Sequence, residues 1–254
     1  MKITKGKQKQ PIRALLYGTE GVGKTTLVAN LPNVLLLDTE RGSLRADCSR
    51  SIIKDWAALA AACRELETDA KKQREWETIV IDSITAAERM LIDEMCKKAN
   101  KKSLASWAYG EGYAMFEKRF DAFLRFADNL VDAGYNVLFV GHSVVKRADD
   151  PVDGSWDRFE VDLDKRSAAM IKRWADVVAF MRFKQAIKTR EGEKPKGVGG
   201  KERVIYTART AAYDAKSRLS MPDEIGGDLK VFTEYYEDTE NYWGGIEANR
   251  KENK

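Results

Sequence analysis

The chain has 254 residues, 43% hydrophobic and 33% charged, with a formal net charge of +4. This describes a soluble globular protein, either one α/β domain or a domain with a small appendage. Membrane insertion and secretion are not expected: no apolar run approaches the roughly 20 residues that span a bilayer, and Met1 to Arg13 lacks an apolar segment of signal-peptide length.

Ile12 to Tyr17 is an apolar run of strand length, followed by Gly18-Thr19-Glu20-Gly21-Val22-Gly23-Lys24-Thr25-Thr26. That stretch fits the phosphate-loop pattern G-x-x-x-x-G-K-[ST], with Gly18, Gly23, Lys24 and Thr25 at the fixed positions. Its glycines let backbone N–H groups turn inward onto a polyphosphate. A helix from about Thr25 to Leu31, which Pro32 helps to end, adds the positive end of its dipole. Lys24 is expected at the β- and γ-phosphates and the Thr25 hydroxyl on Mg²⁺. The chain is therefore expected to bind a nucleoside triphosphate.

Val34 to Leu37 is a second, continuously apolar strand leading into Asp38-Thr39-Glu40, as suits a parallel strand covered on both faces. After an irregular stretch, Asp55 to Lys72 has helical spacing. Thr78 to Ile81 is a third strand, ending at Asp82-Ser83, and a helix runs from about Thr85 to Lys98. Asn100 to Tyr109 reads as a loop, Gly112 to Asp132 as a long amphipathic helix, and Asn136 to Val140 as a fourth strand ending at Gly141-His142. A long polar connection is expected from about Ser143 to Leu163. A helix over Asp164 to Ala175 and a strand over Asp176 to Phe183 follow. Lys184 to Glu202, with Gly192, Pro195, Gly197, Gly199 and Gly200, reads as a flexible basic hairpin or loop. Arg203 to Arg209 pairs back as a strand, and Tyr213 to Pro222 is a compact motif. Alternating strands and helices predict a mostly parallel sheet flanked by helices, with a late antiparallel hairpin at one edge. Residues 1–225 are expected to form the core and 226–254 an acidic-aromatic tail containing Glu234, Glu237, Asp238 and Glu240. Cys48, Cys63 and Cys96 lack C-x-x-C spacing and read as reduced residues of a cytoplasmic protein, and the single histidine, His142, argues against zinc.

Two carboxylates stand where phosphate chemistry needs them. Asp82 ends an apolar strand downstream of the phosphate loop and is the candidate partner of Thr25 on Mg²⁺; the competing reading makes it a helix N-cap. Glu40 lies just past the second strand, in the crevice where open parallel sheets bind ligands. It either orients and deprotonates an attacking water or forms a surface salt bridge with Arg41 or Arg45.

Asp38-Thr39-Glu40, Ile81-Asp82-Ser83 and the late Ala215-Lys216-Ser217-Arg218, in this order, resemble the RecA family of recombinases. The resemblance implies a RecA-like core, ATP as the nucleotide and Glu40 as the catalytic carboxylate. It also implies that Lys216 and Arg218 reach the ATP of a neighbouring protomer. His142 occupies the position of the family's polar γ-phosphate sensor, usually a glutamine. Two DNA-binding loops are implied, mapping to about Asn100–Tyr109, with Lys101, Lys102 and Trp107, and Ser143–Leu163, with Lys146, Arg147, Trp156 and Phe159. Cations for phosphates and aromatic faces for unstacked bases suit single-stranded DNA; tryptophans that pack a loop onto the core are the alternative. With neither the family's N-terminal polymerisation element nor its large C-terminal domain expected, the chain looks like the phage Sak-type single-strand annealing proteins.

The function expected from this resemblance is an ATPase that binds single-stranded DNA and promotes annealing or recombination. Expected partners are single-stranded DNA, further copies in a ring or filament, and a single-strand-binding protein. A helicase loader or helicase-like ATPase, a small-molecule phosphate-loop kinase, and a nucleotide-gated binding module without turnover are the competing readings.

Overall fold

The computed structural model of the chain describes residues 10–70, 75–188, 196–219 and 221–226, together with Ile3 and Lys5. At its centre is β1 (Arg13–Gly18), whose side chains alternate between two buried cores. Leu15 and Tyr17 point into one, Ala14 and Leu16 into the other. A strand covered on both faces gains nothing from polar alternation, which is why its sequence is continuously apolar.

Parallel strands extend on both sides of β1. On one side lie β5 (Asn136–Asp150), β4 (Thr78–Asp82), β2 (Val34–Asp38) and β3 (Ser49–Ile52), in that spatial order; on the other lies β7 (Val177–Lys188). Beyond β7 the sheet turns antiparallel through β8 (Lys196–Tyr206) and β10 (Glu224–Gly226). The short β9 (Lys216–Ser217) pairs with the beginning of β7, at Val178 and Val177. One face is covered by α2 (Trp56–Ala70), α3 (Ile84–Lys98), α4 (Glu111–Asp132) and α5 (Lys165–Trp174), through residues such as Leu59, Leu91, Phe116, Phe120 and Ile171. On the other face α1 (Lys24–Ala29) contributes Leu27 and Val28, joined by Leu31, Leu219 and Ile225. The expected α/β class, with its mostly parallel sheet and terminal antiparallel strands, is the architecture found. Among the described residues no helix is long and apolar enough to cross a membrane.

Three segments differ from expectation. The irregular stretch before α2 contains β3, an edge strand with alternating exposed and half-buried residues and only one aliphatic side chain, Ile52. The long connection after His142 is a β-hairpin rather than a loop. The second half of β5 pairs antiparallel with β6 (Gly154–Val161), from Ser143 opposite Val161 to Asp150 opposite Gly154. Pro151, Val152 and Asp153 are its only turn residues, and Gly154 takes φ +86°, where a glycine is at ease. Between Asn100 and Tyr109 two short 3-10 turns, Leu104–Ser106 and Ala108–Gly110, interrupt the expected loop. Residues 227–254, hence nearly all of the expected acidic-aromatic tail, lie outside the described residues, as do Gly192 and Pro195.

A charge cluster around the buried Arg158 fastens the β5–β6 hairpin to the C-terminal segment. Arg158 on β6 places Nη2 2.5 Å from Asp214 Oδ1 and Nε 3.2 Å from Glu160 Oε1. Lys172 on α5 bridges Glu160 Oε2 at 3.0 Å and Asp214 Oδ2 at 2.5 Å. The Tyr17 hydroxyl donates to the Asp214 carbonyl at 2.6 Å. Beside it Phe159, Phe180, Tyr213 and Tyr206 stack, with centroid separations of 4.5 Å between the tyrosines and 5.1 Å from Phe180 to Phe159 and to Tyr213. Arg158 is the buried member, and removing it leaves Glu160 and Asp214 to share Lys172. Arg158→Ala is therefore expected to lower stability by about 2 kcal/mol in urea unfolding.

Candidate nucleotide site

The loop after β1 is shaped by close contact as much as by flexibility. A Cβ on Gly18 would lie 2.0 Å from the Met181 carbonyl oxygen of β7, so no larger residue fits without moving that strand. Thr19 N–H donates to the same oxygen at 3.2 Å. Gly21 and Gly23 take φ values of +69° and +96°, the region that favours glycine. Lys24 opens α1, largely buried, and its Nζ donates to the carbonyls of Gly18 and Thr19, each at 2.9 Å. Burial holds its pKa below the ordinary lysine value, against the pull of Asp82, Glu20 and Glu40.

Three strand ends converge on this loop. Asp82 at the end of β4 accepts a 2.7 Å hydrogen bond from the Thr25 hydroxyl. The N-cap of α3 is its neighbour Ser83, whose hydroxyl accepts from Ala86 N–H, so Asp82 does not serve as that cap. Thr39 laces β2 to β4: its N–H donates to the Asp82 carbonyl at 2.7 Å, and its hydroxyl accepts from Ser83 N–H at 2.7 Å. Asp38 organises the turn that carries Glu40. Its carboxylate accepts the N–H groups of Glu40, Gly42 and Ser43 and the Ser43 hydroxyl. Burial opposes its charge, but these hydrogen bonds prevail and hold it below the usual carboxylate range.

Glu40 does not pair with Arg41 or Arg45. Its Oε2 lies 2.9 Å from Nε2 of His142, at the end of the in-sheet part of β5. That hydrogen bond holds Glu40 below its ordinary pKa and His142 above its own, in each case against partial burial. Glu20, Gly21, Gly23, Lys24, Thr25, Thr26, Asp38, Glu40, Gly42, Asp82 and His142 line one cleft of 380 Å³.

The chemistry of the cleft fits a Mg²⁺–nucleotide complex. Burial raises the Asp82 pKa, and the nearby Asp38 and Glu40 raise it further. A divalent cation held by Thr25 and Asp82 would relieve that repulsion, and the phosphates would supply most of its remaining ligands. Among the described residues no group of three or more His, Cys, Asp or Glu is arranged to hold a metal by itself.

Lys216 and Arg218 are not part of this cleft. Lys216 sits on β9 opposite Val178, level with Leu15 of β1. That is three residues, roughly 10 Å of strand, before Gly18. Arg218 donates to Asp176 Oδ1 at 2.9 Å and shares that carboxylate with Arg13. Lys216 is half-buried and makes no ion pair among the described residues; burial, then Arg218, lowers its pKa.

The residues expected to contact DNA divide by environment. Lys101 and Lys102 are exposed, with Tyr109 fully exposed close by. Trp107 packs against the core, its ring 2.7 Å from where a Cβ on Gly112 would stand. Lys146 donates to the Leu163 carbonyl at 3.0 Å, and the Trp156 indole N–H to the Ala211 carbonyl at 2.7 Å. Arg147 is exposed but lies 3.5 Å from Asp149 and opposite Asp157, so the outer face of the hairpin is mixed in charge. No motif assigns a role to Asp38, Gly42 or Arg203. Asp38 and Gly42 lie in the turn carrying Glu40, where the Asp38-x-x-x-Gly42-Ser43 spacing is a turn signal. Arg203 of β8 lies against Gly23, and no local pattern announces it.

No curated protein matches the chain. A family model described as an AAA domain matches residues 10–219, which includes every residue of the cleft. With the phosphate loop, the two strand-end carboxylates and the α/β sheet in place, the chain belongs to the AAA-domain family of P-loop ATPases.

Proposed function

We propose that the chain is a Mg²⁺-dependent ATP hydrolase that works as an assembly of its own copies on single-stranded DNA, in annealing or recombination. The observation carrying the catalytic half is that Asp82 and Glu40 stand at neighbouring strand ends around Lys24 and Thr25. Lys24 and the loop N–H groups would hold the β- and γ-phosphates, with Thr25 and Asp82 on Mg²⁺. The metal, when bound, neutralises charge on the transferring phosphoryl group. Glu40 would orient a water and take its proton as the oxygen attacks phosphorus and the bond to ADP breaks. His142 keeps Glu40 ionised and aimed, and gives it a partner that can register the γ-phosphate. Lys216 and Arg218, at the beginning of β7 and outside their own cleft, suit delivery to a neighbour's phosphates. The DNA half is supported by the RecA-like motif order and by the exposure of Lys101, Lys102 and Tyr109 in one segment of the chain.

Glu40→Gln is expected to lower kcat by roughly 10²–10⁴-fold while ATP affinity stays within a few-fold; Lys24→Ala is expected to abolish binding. Turnover of the wild type should rise with single-stranded DNA, and the protein should shift such DNA in a gel. Unaltered turnover and no shift would remove the DNA half and leave the ATPase.

The Glu40–His142 pair also sets a pH dependence. Glu40, with its pKa lowered, contributes stability that is present above its ordinary value and lost as pH falls through the folded value. His142, with its pKa raised, contributes stability that is present below its ordinary value and lost as pH rises through the folded value. Both contributions are thus fully present between the ordinary values of Glu40 and His142, 4.5 and 6.5. His142→Ala frees Glu40 to titrate nearer its ordinary value, so the acid limb of the kcat profile is expected to move to higher pH. An unmoved acid limb would show that His142 does not tune Glu40.

A further inference from the structure

Arg203 belongs to no motif, yet it lies against the phosphate loop. Its Cζ and Nε come within 3.5 Å of the position a Cβ on Gly23 would occupy. It stands opposite Phe183 in the β7–β8 pairing, with Cζ 6.0 Å from that ring's centroid. Carboxylates are close at hand: its sequence neighbour Glu202 lies 3.8 Å from Lys184, which also takes Glu224 at 2.9 Å. The Arg203 guanidinium nonetheless makes no ion pair or hydrogen bond among the described residues. An unpaired surface arginine is ordinary; one lying beside the backbone of a phosphate loop is placed for an anion.

The strand order tells which part of a nucleotide would meet it. Asp82, Glu40 and His142 all lie on the β5–β4–β2 side of β1, which their proposed roles make the γ-phosphate side. A triphosphate threaded through the loop therefore leads away from them toward β7 and β8, with its nucleoside end last. The charge balance asks for a cation there. Glu20, Asp38, Glu40 and Asp82 line the cleft against Lys24 and His142, so an anionic ligand needs more positive charge than the cleft walls provide. A guanidinium backed by an aromatic ring is rigid, always charged and able to grip phosphate oxygens in pairs.

We propose that Arg203 is the cis cation of the nucleotide site and contacts the nucleoside-proximal phosphate. This rests on the nucleotide-binding reading above. It assigns β8 a binding role separate from the Lys216–Arg218 segment, which acts on a neighbour.

The test is calorimetric titration of wild type, Arg203→Ala, Arg203→Lys and Lys24→Ala with Mg²⁺ complexes of ATP, ADP and inorganic tripolyphosphate. Loss of a charge-assisted contact predicts that Arg203→Ala weakens all three by roughly tenfold. Arg203→Lys should recover part of the loss, and thermal unfolding should be unchanged because the side chain is exposed. Unchanged affinities in Arg203→Ala would overturn the proposal while leaving nucleotide binding intact. Weakened nucleotides with unaltered tripolyphosphate would also overturn it, because Arg203 would then act on the base. A wild type that binds none of the three would remove the nucleotide reading and this one together.

Discussion

The hydrogen bond from Thr25 to Asp82 is the contact on which the site depends. It joins the loop after β1 to the end of β4, two strands that are not neighbours, since β5 runs between them. The sheet must therefore set its strand ends at matching heights before the bond can form. The register does this, with Gly18 opposite His142 and Asp82 opposite both Asp38 and Val140. A buried carboxylate near two others is costly alone. The Thr25 hydroxyl and Lys24 offset part of that cost, and a bound metal would offset more.

The same sheet distributes function along its width. The residues proposed for metal and base chemistry gather on the β5–β4–β2 side of β1, and β7 with its antiparallel partners forms the other side. The Lys216–Arg218 segment is held at the beginning of β7, and Asp214 ties it to Arg158 and Lys172. One ionic cluster thus connects the β5–β6 hairpin, α5 and the segment proposed to act on a neighbour. A hairpin displaced by a partner would tug on that segment through fixed ionic contacts rather than through loose chain. His142 stands where β5 leaves the sheet for the hairpin, so the residue paired with Glu40 is continuous with the same element.

Much of this was legible in the chain because its signals are local. The phosphate loop is a contiguous motif, and β1, β2, β4 and β7 are short apolar runs whose burial on both faces demands that composition. Asp82 and Glu40 could be located because each directly follows such a run. What escaped depends on pairing between distant segments. Strand β3 has a single aliphatic residue because it lies at an edge. The β5–β6 hairpin mixes charge on both faces, which conceals its period, although Asp153-Gly154 is a turn signal. The Glu40–His142 bond spans 102 residues and the Arg203–Gly23 approach crosses from β8 to the loop after β1, so no sequence window contains either.

The central claim is that each loop makes half a site and a neighbour's Lys216 and Arg218 complete it. The most direct measurement is ATP turnover by an equal mixture of Lys24→Ala and the double variant Lys216→Ala/Arg218→Ala, compared with each alone. The account predicts two nearly inactive proteins whose mixture regains up to about a quarter of wild-type turnover, the share of head-to-tail interfaces that join an intact loop to intact cations. A mixture no more active than its parts, or a double variant that turns over ATP like the wild type, would contradict it.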